Sequence, residues 1–142
     1  NVFYDWRQRV DLYPDALNAL TSLSNRFSLA ALTNGNADVF HPHIDLAQYF
    51  GTVIRADKEG IAKPDVEIFE RLAERSNTPM ERIIHVGDHP IDDVQGAINA
   101  GARAVWFNRH GARRWRDEWR VTPEFEVHSL SELVTLIENM NL

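Results

Sequence analysis

Short apolar runs of strand type alternate with segments of helical periodicity along the chain, and this alternation constrains the fold more than any other feature. The strand-type runs are FSLAAL (27–32), TVIRA (52–56), RIIHV (82–86) and RAVWF (103–107), with a weaker one at EFEV (124–127). Between them the spacing of apolar residues predicts helices over 14–23, 64–75, 92–100 and 129–139, and a shorter one over 43–49. Strands that are apolar on both faces must be covered on both sides. The predicted fold is therefore an α/β domain in which helices flank a parallel sheet, with its site at the carboxyl ends of the strands. No internal repeat or low-complexity tract interrupts the pattern.

Cap signals support the helices. Pro64 suits a first helical turn, Asp65 and Glu67 suit its positive end, and Ile68, Phe69, Leu72 and Ala73 supply an apolar face. Ser129 followed by Glu132 has the spacing of a capping box at the start of the last helix.

Composition narrows the function. The 142 residues, 44% apolar and 25% charged, suit one compact domain. A formal charge of −6 disfavours a protein built to grip a nucleic acid backbone, which needs a basic surface. No apolar run approaches the roughly 18–20 residues of a membrane span, and NVFYDWRQRV lacks the layout of a signal peptide. A soluble, cytoplasmic protein with no membrane partner is expected. The absence of cysteine excludes a thiol nucleophile and thiolate ligands, so any metal must use oxygen or imidazole. The chain starts at Asn1, partway into an amphipathic-looking segment, as a piece of a longer protein would.

Three loops at predicted strand ends carry chemistry. In LTNGNADV (32–39), the Thr33 hydroxyl, the Asn34 amide and backbone N–H groups near Gly35 offer neutral donors to an anionic oxygen, although Asn-Gly is also an ordinary turn. In GIAKPDVEIFERL (60–72), Lys63 is held just before a helix, where its compact charge can neutralise phosphate or orient a carboxylate, although a lone lysine is more often solvated. In VGDHPIDDVQGAINAG (86–101), Asp88 follows a buried strand, and Asp92 and Asp93 fall in the first turn of the next helix. Such carboxylates are hard oxygen ligands of the kind Mg²⁺ prefers. Helix capping would account for Asp92 or Asp93, and less readily for Asp88.

Together and in this order, LTNGN, AKP and VGDHPIDDVQGAINAG resemble the second, third and fourth motifs of the haloacid dehalogenase-like (HAD) hydrolase superfamily, over roughly residues 12–108. The resemblance implies a Rossmann-like parallel sheet and, most commonly, a Mg²⁺-dependent phosphatase working through an aspartyl-phosphate intermediate. By that resemblance Thr33, Asn34 and Gly35 bind the phosphoryl group. Lys63, the catalytic lysine, steadies the nucleophile and the phosphate, and Asp88 holds Mg²⁺. Asp93 is the second acid, assisting the metal through water or holding Lys63, with Asp92 as the alternative. The expected substrate is a small phosphorylated metabolite such as a sugar phosphate, a nucleotide or a flavin-type phosphate.

The family's first motif, an Asp-x-Asp on the central strand, occurs nowhere in the sequence. Asp5, Asp11 and Asp15 lie near the start, and none follows an apolar strand. Residues 1–12 therefore read as the tail of a cap or a linker and 13–142 as the C-terminal portion of the core domain. On this reading the core lacks its first strand, the nucleophile lies upstream, and the chain needs association with that missing segment or a homodimer partner. The rival readings are an inactive phosphate- or metal-binding regulatory module and a haloacid dehalogenase.

Remaining signals are weaker. Arg109, Arg113, Arg114, Arg116 and Arg120 interleave with Trp115 and Trp119, which suits tryptophans that pack while arginines reach solvent, or a surface that stacks on bases, or a subunit contact. His41 and His43 read as loop residues, His85 as a satisfied core histidine, and His89 as a neighbour of Asp88 with no assigned role.

Overall fold

In a computed structural model the described residues are 2–4, 16–33 and 49–140. They form β1 (Val2–Tyr4), α1 (Ala16–Ser24), β2 (Leu29–Thr33), β3 (Thr52–Arg55), α2 (Ala56–Glu59), α3 (Val66–Arg75), β4 (Ile84–Gly87), α4 (Gly96–Ala100), β5 (Arg103–Phe107), β6 (Phe125–Val127) and α5 (Leu130–Asn139). A π-helical turn, Pro90–Gln95, leads directly into α4. The strands form one sheet in the order β3-β2-β1-β4-β5-β6, and every pairing is parallel. No helix among the described residues is long and apolar enough to cross a membrane.

The period-2 alternation of buried strands sorts the core into two layers. Leu29, Ala31, Ile84, Val86, Val105, Phe107 and Val127 face one side, where Leu20 and Leu23 of α1 and Leu133 and Ile137 of α5 cover them. Ala30, Leu32, Ile54, Ala104 and Trp106 face the other, under Ile68, Phe69 and Leu72 of α3 and Ala97 of α4. This is the expected α/β architecture with helices on both faces.

The middle of the sheet differs from expectation. Instead of lacking its first strand, the core has β1 between β2 and β4, with Tyr4 opposite both Ala31 and Val86. An empty inner position would leave two facing rows of backbone N–H and C=O groups unpaired, and a three-residue ladder satisfies part of both. Three residues are too few to display a strand period, so the sequence does not reveal them. Residues 2–4 thus pair within the core sheet, and Asp5 directly follows a strand in sequence.

Helix boundaries shift for local reasons. The Asp65 carboxylate accepts from the Glu67 N–H at 2.9 Å, making Asp65 the cap of α3 and leaving Pro64 outside the helix. Ser129 caps α5, accepting from the Glu132 N–H at 3.1 Å, while Glu132 accepts from the His128 N–H at 2.6 Å rather than from the N–H of Ser129. The short helix expected over 43–49 lies almost wholly outside the described residues.

Candidate functional site

In a parallel sheet the order of β2, β1 and β4 creates a switch point, because the connections leave in opposite directions and open a crevice at the strand ends. Thr33 ends β2, and Gly87 ends β4 with Asp88 directly after it, so two of the three motif loops converge there. Thr33 is buried at 1% exposure. Asn34 and Gly35 lie outside the described residues, as do His41 and His43.

The third loop reaches the same place by close packing. Gly96 opens α4, where a Cβ would stand 3.0 Å from Phe69 Cε2 and 3.1 Å from Pro64 Cα. Without a side chain there, the Lys63–Pro64 loop settles against the helix start. Lys63 is consequently 4% exposed, not solvated, and its Nζ donates to Asp93 Oδ1 at 2.6 Å.

Asp93 is the hub of this arrangement. Its position follows from the π turn, in which the N–H groups of Asp93 and Val94 both donate to the His89 carbonyl, at 3.0 and 3.2 Å. The wide turn directs the Asp93 side chain inward, where it is wholly buried. Besides Lys63, Oδ1 meets His85 Nε2 at 3.0 Å, and Oδ2 accepts from the His89 N–H at 3.0 Å. A Cβ on Gly87 would lie 2.2 Å from Asp93 Cγ, so this carboxylate needs a glycine beneath it. Sequence reading leaves Asp92 and Asp93 as alternatives, and the structure separates them: Asp93 turns in to hold Lys63, whereas Asp92 stays partly exposed, 3.9 Å from His89 Nδ1.

His85 completes the buried group. Its ring meets Phe69 edge-on at a centroid distance of 5.2 Å, and burial depresses its pKa while the Asp93 carboxylate pulls the other way. The neutral ring with a proton on Nε2 can donate to Asp93. Nδ1 is then a buried acceptor, and it has no partner, so the expected satisfied histidine is only half satisfied. His89, given no role by the sequence, caps the π turn: Nδ1 accepts from the N–H groups of Ile91 and Asp92 at 3.2 and 3.0 Å. The capping that Asp92 or Asp93 could have supplied comes from histidine instead.

Asp88 is exposed at the mouth of the crevice. No group of three or more His, Cys, Asp or Glu side chains suited to a metal occurs among the described residues. A single outward carboxylate nevertheless fits Mg²⁺, which commonly takes one or two protein carboxylates and completes its shell with water and substrate phosphate. Asp93 fits direct ligation poorly, since both of its oxygens already accept hydrogen bonds.

Beyond the crevice, Trp115 packs edge-on against Trp106 and Trp119 against Trp115, with centroids 5.1 and 4.9 Å apart, and Arg116 lies over Trp119 at 5.6 Å. The tryptophans of the basic segment thus pack on one another and on the core. An open groove of about 460 Å³ lies along β6 and α5, lined in part by Phe125, Val127, Thr135 and Leu136, and it includes none of the motif residues.

A profile of the haloacid dehalogenase-like hydrolases matches residues 2–101. Among curated relatives, the chain is 36% identical over 137 residues to the 5-amino-6-(5-phospho-D-ribitylamino)uracil phosphatase YigB of Escherichia coli, covering 95% of this chain and 56% of that protein. It is 36% identical over 135 residues to a phosphoserine phosphatase of Thermus thermophilus, covering 92% and 53%. Among solved structures, a 2-haloacid dehalogenase from Pseudomonas syringae pv. Tomato superposes with a TM-score of 0.81 at 38% identity, covering 90% of this chain and 54% of that one. The chain therefore spans about half the length of these relatives.

Proposed function

The chain belongs to the haloacid dehalogenase-like hydrolases, and on that basis we propose that it is the C-terminal core portion of a Mg²⁺-dependent phosphatase of small phosphorylated metabolites. The observation that carries this reading is the buried Lys63–Asp93 pair, with Thr33 and the exposed Asp88 at the neighbouring strand ends. Phosphoryl transfer asks a protein mainly for positioning and charge neutralisation, and these residues supply both. Several relatives named as phosphatases point to the same chemistry. Sugar phosphates, nucleotides and flavin-type phosphates are the substrate classes to test, in the cytoplasm.

Each residue has a defined task on this reading. Thr33, with Asn34 and the backbone near Gly35, donates to the nonbridging oxygens of the phosphoryl group. Lys63, anchored by Asp93, presents a fixed positive charge to those oxygens and to the nucleophilic carboxylate. Asp88 would hold Mg²⁺, with the partly exposed Asp92 as the candidate to assist it and Asp93 acting through Lys63. When bound, the cation would neutralise charge on the transferring phosphoryl group. The nucleophile is the first aspartate of an Asp-x-Asp motif, which this chain does not contain. Its carboxylate oxygen bonds to phosphorus as the ester oxygen leaves with a proton from the second aspartate of that motif, and water, giving its proton back to that aspartate, then cleaves the acyl phosphate to release inorganic phosphate.

The test uses the full-length natural protein with a panel of these three classes of phosphomonoester, with Mg²⁺ and after chelation. Phosphate release that needs Mg²⁺ is expected for at least one class. The likeness to a 2-haloacid dehalogenase supports a second reading: halide release from a 2-haloacid without Mg²⁺, and no phosphate release from any ester, would replace the first.

A further inference from the structure

The peptide group joining Asp88 to His89 is held at both ends. Its carbonyl oxygen, that of Asp88, accepts from the Trp106 indole Nε1–H at 3.0 Å. Its N–H, that of His89, donates to Asp93 Oδ2 at 3.0 Å. A peptide unit is rigid and planar, so bonds at its two ends fix its rotation about the chain, and with it the direction in which Asp88 leaves the backbone. We propose that Trp106 is a positioning residue for the cation site, aiming Asp88 by clamping this peptide against the pull of Asp93. The proposal rests on the reading of Asp88 as the Mg²⁺ ligand.

The indole is well fixed for that task. Trp106 lies in β5 directly opposite Gly87 of β4 and is 0% exposed, so a buried N–H must find an acceptor, and the Asp88 carbonyl is the one it meets. Trp115 packs edge-on against it and Trp119 packs on Trp115. The Trp119 carbonyl in turn accepts from Gln95 Nε2 at 3.3 Å, within the π turn that carries Asp92 and Asp93. The 109–120 segment is thereby tied both to the strand that holds Trp106 and to the turn that holds the acids. The aromatic stack, which the proposed reaction does not otherwise use, becomes the brace of the Asp88 loop.

The experiment replaces Trp106 in the full-length protein with β-(3-benzothienyl)alanine, which puts sulfur in place of the N–H and keeps the ring shape, alongside Trp106→Phe. Two readouts are taken: hydrogen exchange at the His89 amide without metal, and Mn²⁺ affinity by electron paramagnetic resonance. Supporting groups behind a metal ligand commonly contribute 10–100-fold in affinity, so Mn²⁺ binding is expected to weaken about tenfold, with faster exchange at His89. Unchanged exchange in the analogue would overturn the clamp. Faster exchange with unchanged Mn²⁺ affinity would overturn the link to the cation. Absence of Mn²⁺ binding in the unsubstituted protein would overturn the cation reading of Asp88 itself, and the proposed role with it.

Discussion

Lys63 Nζ lies 2.6 Å from Asp93 Oδ1, with the two side chains 1% and 0% exposed. A pair so deeply buried is costly to break from one side, because the remaining charge stays out of water without compensation. Lys63→Met or Asp93→Asn should each destabilise the fold by about 3–5 kcal/mol, whereas the double variant should recover much of that loss. Urea unfolding of the four proteins gives the coupling directly. Additive losses would mean that the two side chains do not act as a pair.

His85 gives stability a defined pH dependence. Burial holds its pKa below the ordinary value of 6.5, against the opposing pull of Asp93. The unfolded chain therefore takes up a proton that the folded chain does not. Stability is full above the unfolded pKa and falls as pH drops from about 6.5 toward the lower folded value, by up to about 1.4 kcal/mol per pH unit. His85→Gln keeps a donor for Asp93 and should flatten the slope below about pH 6.5. An equal slope in the variant would show that other groups carry it.

Gly87 has no room for a side chain. An added Cβ would lie 2.2 Å from Asp93 Cγ and 2.5 Å from its Cβ, and Asp93 cannot retreat without releasing Lys63, His85 and the His89 N–H. Gly87→Ala should cost about 2–4 kcal/mol of stability, as overpacking does when it also breaks a buried network. Thermal unfolding would show it. A variant as stable as the parent would mean that the turn has slack these packing distances do not suggest.

The layers of the fold were readable because burial on both faces leaves apolar runs that composition cannot disguise. Even the weak EFEV segment forms a strand, at the sheet edge, where fewer apolar residues are needed. β1 was not readable, since three residues carry no period and its place depends on what β2 and β4 leave unpaired. At the site, strand order accounts for Thr33 and Asp88 standing at neighbouring strand ends, whereas Lys63 arrives through the packing of its loop on Gly96, which no motif spacing shows. The roles of adjacent Asp92 and Asp93 did not, because a π turn changes the angle between successive side chains and only coordinates show which carboxylate turns inward. Trp106 gave a faint signal: it alternates with Val105 and Phe107 and so must bury its indole N–H on the other face of β5, where an acceptor had to exist.

Two substitutions in the full-length protein test the cation ligand and the source of the nucleophile. Asp88→Asn should abolish Mg²⁺-dependent hydrolysis and leave the fold intact, because an exposed carboxylate at a strand end contributes little to packing and much to a cation. Asp5 is the sharper case. It follows β1 in sequence, and β1 lies between the strands that end in Thr33 and Gly87. The sequence around it argues against a nucleophile there, because Arg7 stands where the second acid of an Asp-x-Asp should be. If the nucleophile is upstream, Asp5→Asn should leave turnover close to that of the unsubstituted enzyme, and the upstream strand must take the position that Val2–Tyr4 holds here. Loss of turnover in Asp5→Asn, with unfolding unchanged, would instead make Asp5 the nucleophile and the upstream motif unnecessary.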